Sequence, residues 1–149
     1  MLFPNLPESS KVWIYQSQTP ISAESQIEMQ KKLDLFISGW AAHGDELFGT
    51  SAILEDYFVV LVVDEAKVKA SGCSIDTSVH FIRQLGKTFQ LDFFSRLNML
   101  IENDNQKRIV HFSDLAEFGD SFIYDPLIKS LGEFRKSWKV KISESRFLN

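Results

Sequence analysis

Apolar residues recur along the chain in two periods, and the order in which those periods alternate sets the fold class to expect. Val12-Trp13-Ile14-Tyr15 reads as a strand, ended by the polar stretch Gln16-Ser17-Gln18-Thr19-Pro20. Ser22 then opens a helix as N-cap, with Ser25 at the third helical position followed by Gln26 and Glu28, a supported start without a full capping box. Met29, Leu33, Phe36, Ile37 and Trp40 form one apolar stripe at helical spacing. His43-Gly44 is expected to close that helix, with Gly44 in the left-handed conformation after its last turn.

Leu47 to Leu54 and Tyr57 to Val63 follow as strands separated by Glu55-Asp56, which suits a tight hairpin. The second of these is almost wholly apolar and is expected to be central, while Gly49 marks a candidate bulge in the first. A polar connection from Asp64 to Ser74 leads to a second helix over about Ile75 to Phe89, with the stripe Ile75, Val79, Ile82, Leu85 and Phe89. Strands are expected over Arg96–Ile101 and Lys107–Phe112, turned at Glu102–Gln106. The tail reads as a short helix over Asp114–Phe118, a strand at Phe122–Tyr124 and a last helix over Leu131–Trp138.

Strand, helix, strand, strand, helix, strand is the ferredoxin-like βαββαβ order, an α+β class built on an antiparallel sheet. The expectation is one domain over 1–149, with a core over about 11–112 and a C-terminal α/β extension over about 113–149. In that arrangement both helices cover one face and run antiparallel. The end of the first helix and the start of the second then share an edge, making His43 a neighbour of the Cys73 loop.

Composition narrows the function classes. The chain has 149 residues, 44% hydrophobic and 24% charged, enough to bury a core without metal or disulfide support. Thirteen phenylalanines supply large apolar groups for it. Sixteen basic and 20 acidic residues are scattered to a net charge of −4, so the basic face of a nucleic-acid binder is not expected. Cys73 is the single cysteine, which excludes an internal disulfide and a cysteine-rich zinc site and fits a reducing compartment. The start Met1-Leu2-Phe3-Pro4-Asn5 lacks a secretory pattern, and no apolar run is long enough to cross a bilayer, so the expected location is cytoplasmic.

The most chemically suggestive segment is Ser71-Gly72-Cys73-Ser74-Ile75-Asp76, placed just before the second helix. Unpaired N–H groups and the helix dipole favour anions there and promote a thiolate, with Lys67 and Lys69 adding charge and Gly72 allowing close backbone approach. The plainer reading makes Cys73 a small buried hydrophobe and Ser74 or Asp76 an N-cap. His43, expected at a helix C-terminus, is the better base for such a thiol, although it could equally cap the helix. His80 lies four residues after Asp76 and is expected to face solvent as a surface pair with it.

Other features carry less. Asp45, Glu46, Asp64 and Glu65 would share the edge with His43, but nothing in their spacing resembles a metal-ligand set, and no metal or cofactor is expected. Gly86-Lys87-Thr88 imitates the end of a phosphate-binding loop, yet Phe81 stands where the first glycine belongs and the tripeptide falls near a helix end. Trp40, Phe81, Phe93, Phe94, Phe118, Phe122 and Trp138 could line an apolar pocket, or simply fill the core.

Phe36-Ile37-x-x-Trp40-x-x-His43-Gly44, Val62-Val63-Asp64-Glu65 and Ala70-Ser71-Gly72-Cys73-Ser74-Ile75-Asp76-x-Ser78-Val79-His80 together resemble a small family of uncharacterised bacterial proteins often labelled "ABC transporter ATPase". The resemblance spans most of the chain. Val62-Val63-Asp64-Glu65 imitates a Walker-B acid and its glutamate, but the phosphate-binding loop such an ATPase needs is missing, so the label reads as a misnaming and implies no catalytic residues.

Two functions lead, beside a third in which the chain is a purely structural partner in an assembly, marked by a large exposed apolar patch around Trp138 and Phe147. One is a small ligand-binding or regulatory module whose site comprises Lys67, Lys69, Ser71, Gly72, Ser74 and Asp76, taking a small anionic ligand or a protein partner, with a homodimer allowed and neither nucleic acid nor membrane expected. The other is a thiol-dependent enzyme with Cys73 as nucleophile, His43 or His80 as base, and backbone N–H groups near Ser74 and Ile75 stabilising a developing anion.

Overall fold

A computed structural model describes residues 2–148 and shows a mixed α+β chain in which all strand pairs are antiparallel. Its organising strand is β5 (Phe58–Asp64), which pairs with β1 (Lys11–Gln16) on one edge and β4 (Phe48–Leu54) on the other. Six of its seven residues are buried, as an unbroken apolar run requires of a strand covered on both faces. Glu55 and Asp56 turn the β4–β5 hairpin with positive φ, and Tyr57 N–H donates to Leu54 C=O at 3.2 Å.

Alternation along β5 sends its side chains to two cores. Val59, Leu61 and Val63 join Met29 and Leu33 of α1 (Ala23–Gly39) and Ile82 and Leu85 of α2 (Gly72–Phe89). Phe58, Val60 and Val62 pack on the opposite face against Leu100, Tyr124, Leu131, Phe134 and Trp138. Each such side chain removed from water contributes roughly 1.5–3 kcal/mol.

That second layer is where the architecture departs from the expected order. β6 (Asn98–Asn103) does not pair with β1 as the fourth strand of a ferredoxin-like sheet would. It pairs instead with β7 (Gln106–His111) and β8 (Phe122–Tyr124), and β9 (Lys139–Lys141) completes a separate sheet of order β7-β6-β8-β9. The tail therefore supplies two of this sheet's strands and, through α3 (Leu131–Ser137), part of the core on β5. Apolar groups on both faces of β5 leave the inner face of a single sheet open, and the second sheet covers it.

The β1 edge that β6 would have occupied is closed by other means. Val12 N–H donates to Lys129 C=O at 3.0 Å. The buried Gln16 amide reaches the second sheet: its Nε2 donates to Asn98 C=O at 3.1 Å, and its Oε1 accepts from Leu100 N–H at 3.2 Å. One side chain thus does what a neighbouring backbone would.

Four local expectations also change. Helix α1 ends at Gly39, and His43-Gly44 turns a short hairpin between β2 (Ala41–Ala42) and β3 (Asp45–Glu46), with φ of +53° and +83°. Trp40, expected on the helical stripe, lies past the helix end because its Nε1–H donates to Ser74 C=O at 2.8 Å, tying the close of α1 to the opening of α2. Gly49 makes no bulge, since β4–β5 register is unbroken; its missing side chain makes room for the Trp40 ring, which a Cβ there would meet at 3.3 Å. Helix α2 begins one turn earlier than expected, at Gly72, and its buried face runs through Ser74, Ser78, Ile82 and Leu85 while Ile75 and Val79 are only half-buried. Among the described residues no helix is long and apolar enough to cross a membrane.

Gln16→Ala should lower stability by about 2 kcal/mol, because it leaves Leu100 N–H and Asn98 C=O without partners. Urea denaturation checks this, and an unchanged midpoint would mean that water replaces the amide at no cost.

Candidate functional site

Trp40 joins the end of α1 to the start of α2, and β2 packs against α2. Cys73 sits in the first turn of α2 with its thiol exposed, and His43 and His80 are exposed as well. Among the described residues no hydrogen bond joins either imidazole to Cys73, and no ion pair joins His80 to Asp76.

The donors foreseen at Ser74 and Ile75 are already occupied. Ser71, the actual N-cap, accepts from Ser74 N–H at 3.1 Å, while Ser74 Oγ accepts from Ser71 N–H at 2.7 Å, a reciprocal box. Ile75 N–H donates to Ser71 C=O at 3.0 Å. The groups near Ser74 and Ile75 that would have met a developing anion hold the helix start instead, so neither Ser74 nor Asp76 is the cap.

The surrounding charges also have local work. Glu65 accepts from Ala70 N–H at 2.8 Å and Asp64 from Ala66 N–H at 3.0 Å, so both acids shape the connection. Lys67 Nζ lies 5.6 Å from the Phe48 ring centre, and Lys69 is exposed. Among the described residues no cluster of three or more His, Cys, Asp or Glu could hold a metal ion, so Asp45, Glu46, Asp64 and Glu65 form no such set with His43. Gly86 of the Gly-Lys-Thr tripeptide is buried in the last turns of α2, where a Cβ would stand 2.5 Å from Leu91 C=O. Close chain reversal explains that glycine.

A different place carries the features of a ligand site. Leu2, Phe134, Arg135, Lys136, Trp138 and Lys139 line a cavity of about 460 Å³, within the size range of small-molecule pockets. Its aromatic wall is rigid: Phe134 and Trp138 stack at 4.6 Å, and Trp138 meets Phe58 and Tyr124 edge-on at 5.0 and 4.9 Å. Arg135 Nη2 donates to Phe3 C=O at 2.7 Å and Leu6 C=O at 3.1 Å, which fastens the N-terminal segment beside the cavity. No carboxylate pairs with Arg135 or Lys136 among the described residues. Arg135 Nε and Trp138 Nε1 are buried without a hydrogen-bond partner among the described residues.

Behind the cavity rim stands a charged network. Lys139 Nζ lies 2.6 Å from Glu102 Oε2, Tyr124 Oη donates to Glu102 Oε1 at 2.9 Å, and Lys107 Nζ stands 3.0 Å from Glu55 and 3.8 Å from Glu102. The hydrogen bond from Lys139 holds the Glu102 carboxyl below the usual glutamate range. Burial first, and then the bond to Glu102, push the Tyr124 phenol above its ordinary range.

Of this lining the sequence pointed only to Trp138 as a pocket residue, and Phe134, Arg135, Lys136 and Lys139 were missed because each is unremarkable singly. The available signal was Phe134-Arg135-Lys136-Ser137-Trp138-Lys139, three cations interleaved with two aromatics in a chain of net charge −4. The chain matches no family model, no curated protein and no solved structure. The class of protein therefore has to be argued from the site.

Two outcomes follow from this geometry. Iodoacetamide should alkylate Cys73 in the native protein, and His43→Ala and His80→Ala should leave the pH dependence of that rate unchanged; a thiol reactive only after unfolding would contradict its exposed position. Glu102 carries a depressed pKa, so its contribution to stability is present above the unfolded glutamate range and is lost as pH falls through the folded value. Lys139→Met should accordingly destabilise the protein at neutral pH and not at acid pH where Glu102 is protonated, as judged by urea midpoints at each pH.

Proposed function

We propose that this chain is a binding module for a small organic anion with a flat apolar body, held in the cavity beside Trp138. The observation that carries the reading is the pairing of a stacked aromatic wall with Arg135 and Lys136, cations that no carboxylate among the described residues neutralises, around a cavity of about 460 Å³. An apolar body would cover the ring, while a carboxylate or phosphate would take charge-assisted hydrogen bonds from the rim. A module of this kind keeps the ligand-binding or regulatory role expected from the sequence and moves its site from the Ser71–Asp76 turn to α3 and β9. The first sheet with α1 and α2 is, in this reading, the larger part of a ferredoxin-like unit whose fourth strand has joined the second sheet.

A thiol-dependent reaction at Cys73 is the second reading, favoured by the exposed thiol on the first turn of α2. It is weaker because the neighbouring N–H donors are already bonded.

The test uses 2-naphthoate as probe and titration calorimetry as readout. Saturable binding is expected in the native chain, about tenfold weaker in Lys136→Glu, a loss equivalent to about 1.4 kcal/mol. The neutral analogue 2-naphthalenemethanol should bind less tightly than the acid. Equal binding of acid and alcohol, or no saturable binding of either, would remove the reading.

A further inference from the structure

The two larger sheets end in four edges, and three of them are guarded. β1 is closed by Lys129 C=O, by a bridge between Lys11 and Ser130, and by the Gln16 amide. β7 carries Lys107 and Arg108, and β9 carries Lys139 and Lys141. Charged residues on an exposed edge oppose pairing with another chain.

β4 has none of these devices. Phe48-Gly49-Thr50-Ser51-Ala52-Ile53-Leu54 contains neither a charge nor a proline, and its register with β5 runs without a bulge from Phe48 opposite Asp64 to Leu54 opposite Phe58. Among the described residues its only strand partner is β5. Helix α1 lies over one face of β4, where Gln30 Nε2 donates to Ser51 Oγ at 3.1 Å, and adds no strand to its edge. A neutral, flat, seven-residue edge is a template for strand addition.

We propose that β4 pairs antiparallel with β4 of a second copy of this chain, about a two-fold axis through Ser51, joining the two three-stranded sheets into one. The strand is self-complementary in that register. Phe48 faces the partner's Leu54, Gly49 faces the partner's Ile53, and Thr50 faces the partner's Ala52, so no charges meet and no two aromatic rings collide. Phe48 is 52% exposed, with Lys67 Nζ from the following connection 5.6 Å from its ring centre, and would gain an apolar neighbour. Ile27, 61% exposed and one turn before Gln30 on α1, would face the partner's α1 across the joined sheet. A two-fold contact of this type is closed, so it stops at the dimer.

Light scattering on the full chain should give twice the 17.1 kDa mass, and Thr50→Lys, which places a lysine on the bare edge, should give the single-chain mass while keeping the native circular dichroism spectrum. In a Cys73→Ser background, Ser51→Cys should form an intermolecular disulfide under mild oxidation, because directly opposed residues of an antiparallel pair have Cα atoms about 4.5–5.5 Å apart. Leu35→Cys, at a residue 76% exposed on α1, is the control and should not. A native chain of single mass, a Thr50→Lys variant that stays dimeric, or Ser51→Cys linking no faster than Leu35→Cys would each overturn the proposal.

Discussion

Everything else in this structure answers the burial of β5 on both faces. A strand reading Phe-Val-Val-Leu-Val-Val cannot present either side to water without exposing several large apolar groups, each worth roughly 1.5–3 kcal/mol of transfer free energy. The helices satisfy one side through Met29, Leu33, Ile82 and Leu85. The other side calls for a second apolar surface, and the chain builds it from Leu100, Tyr124, Leu131, Phe134 and Trp138. The second sheet is thus a consequence of the first.

Two side chains make the junctions between these layers specific. Trp40 fills the space left by Gly49 and hydrogen-bonds to Ser74 C=O, so the end of α1, the start of α2 and the first residues of β4 are set by one indole. Gln16 performs the corresponding task between β1 and β6, where its amide satisfies Leu100 N–H and Asn98 C=O beyond the residues of β6 that β8 pairs. Apolar burial decides that the layers meet, and these polar contacts decide in what alignment.

The same layering accounts for where chemistry can occur. Trp138 must cover β5, and it is placed by α3, whose last turn also carries Arg135 and Lys136. An aromatic group needed by the core therefore brings cations to its rim, while the Cys73 turn, by contrast, spends its backbone donors on capping α2. The distribution of charge over the sheet edges is equally uneven. Lysines and arginine stand on β7 and β9, and none stands on β4, which separates a solvated surface from one suited to a partner strand.

Local order was legible in the residues themselves. The Ser22 cap, the Met29-Leu33 stripe, the Glu55-Asp56 turn, the apolar run of β5 and the Phe122–Tyr124 strand all depend on neighbours a few positions away, and periodicity reports such neighbours directly. The helix boundary at Gly39 was not legible, because Trp40 sits on the helical stripe and leaves it only for a bond to a residue 34 positions distant. The partner of β6 was hidden for the same reason: alternation says that a segment is a strand and is silent on which strand lies beside it. The cavity by Trp138 arises from Leu2 meeting Phe134 and Lys139, residues with no local relation. Sequence determined most of the elements and the central place of β5, since both are properties of short apolar patterns; only the tertiary structure decided the cover on the second face of β5, the strand pairing and the cavity, since those rest on contacts between parts of the chain that no short pattern connects.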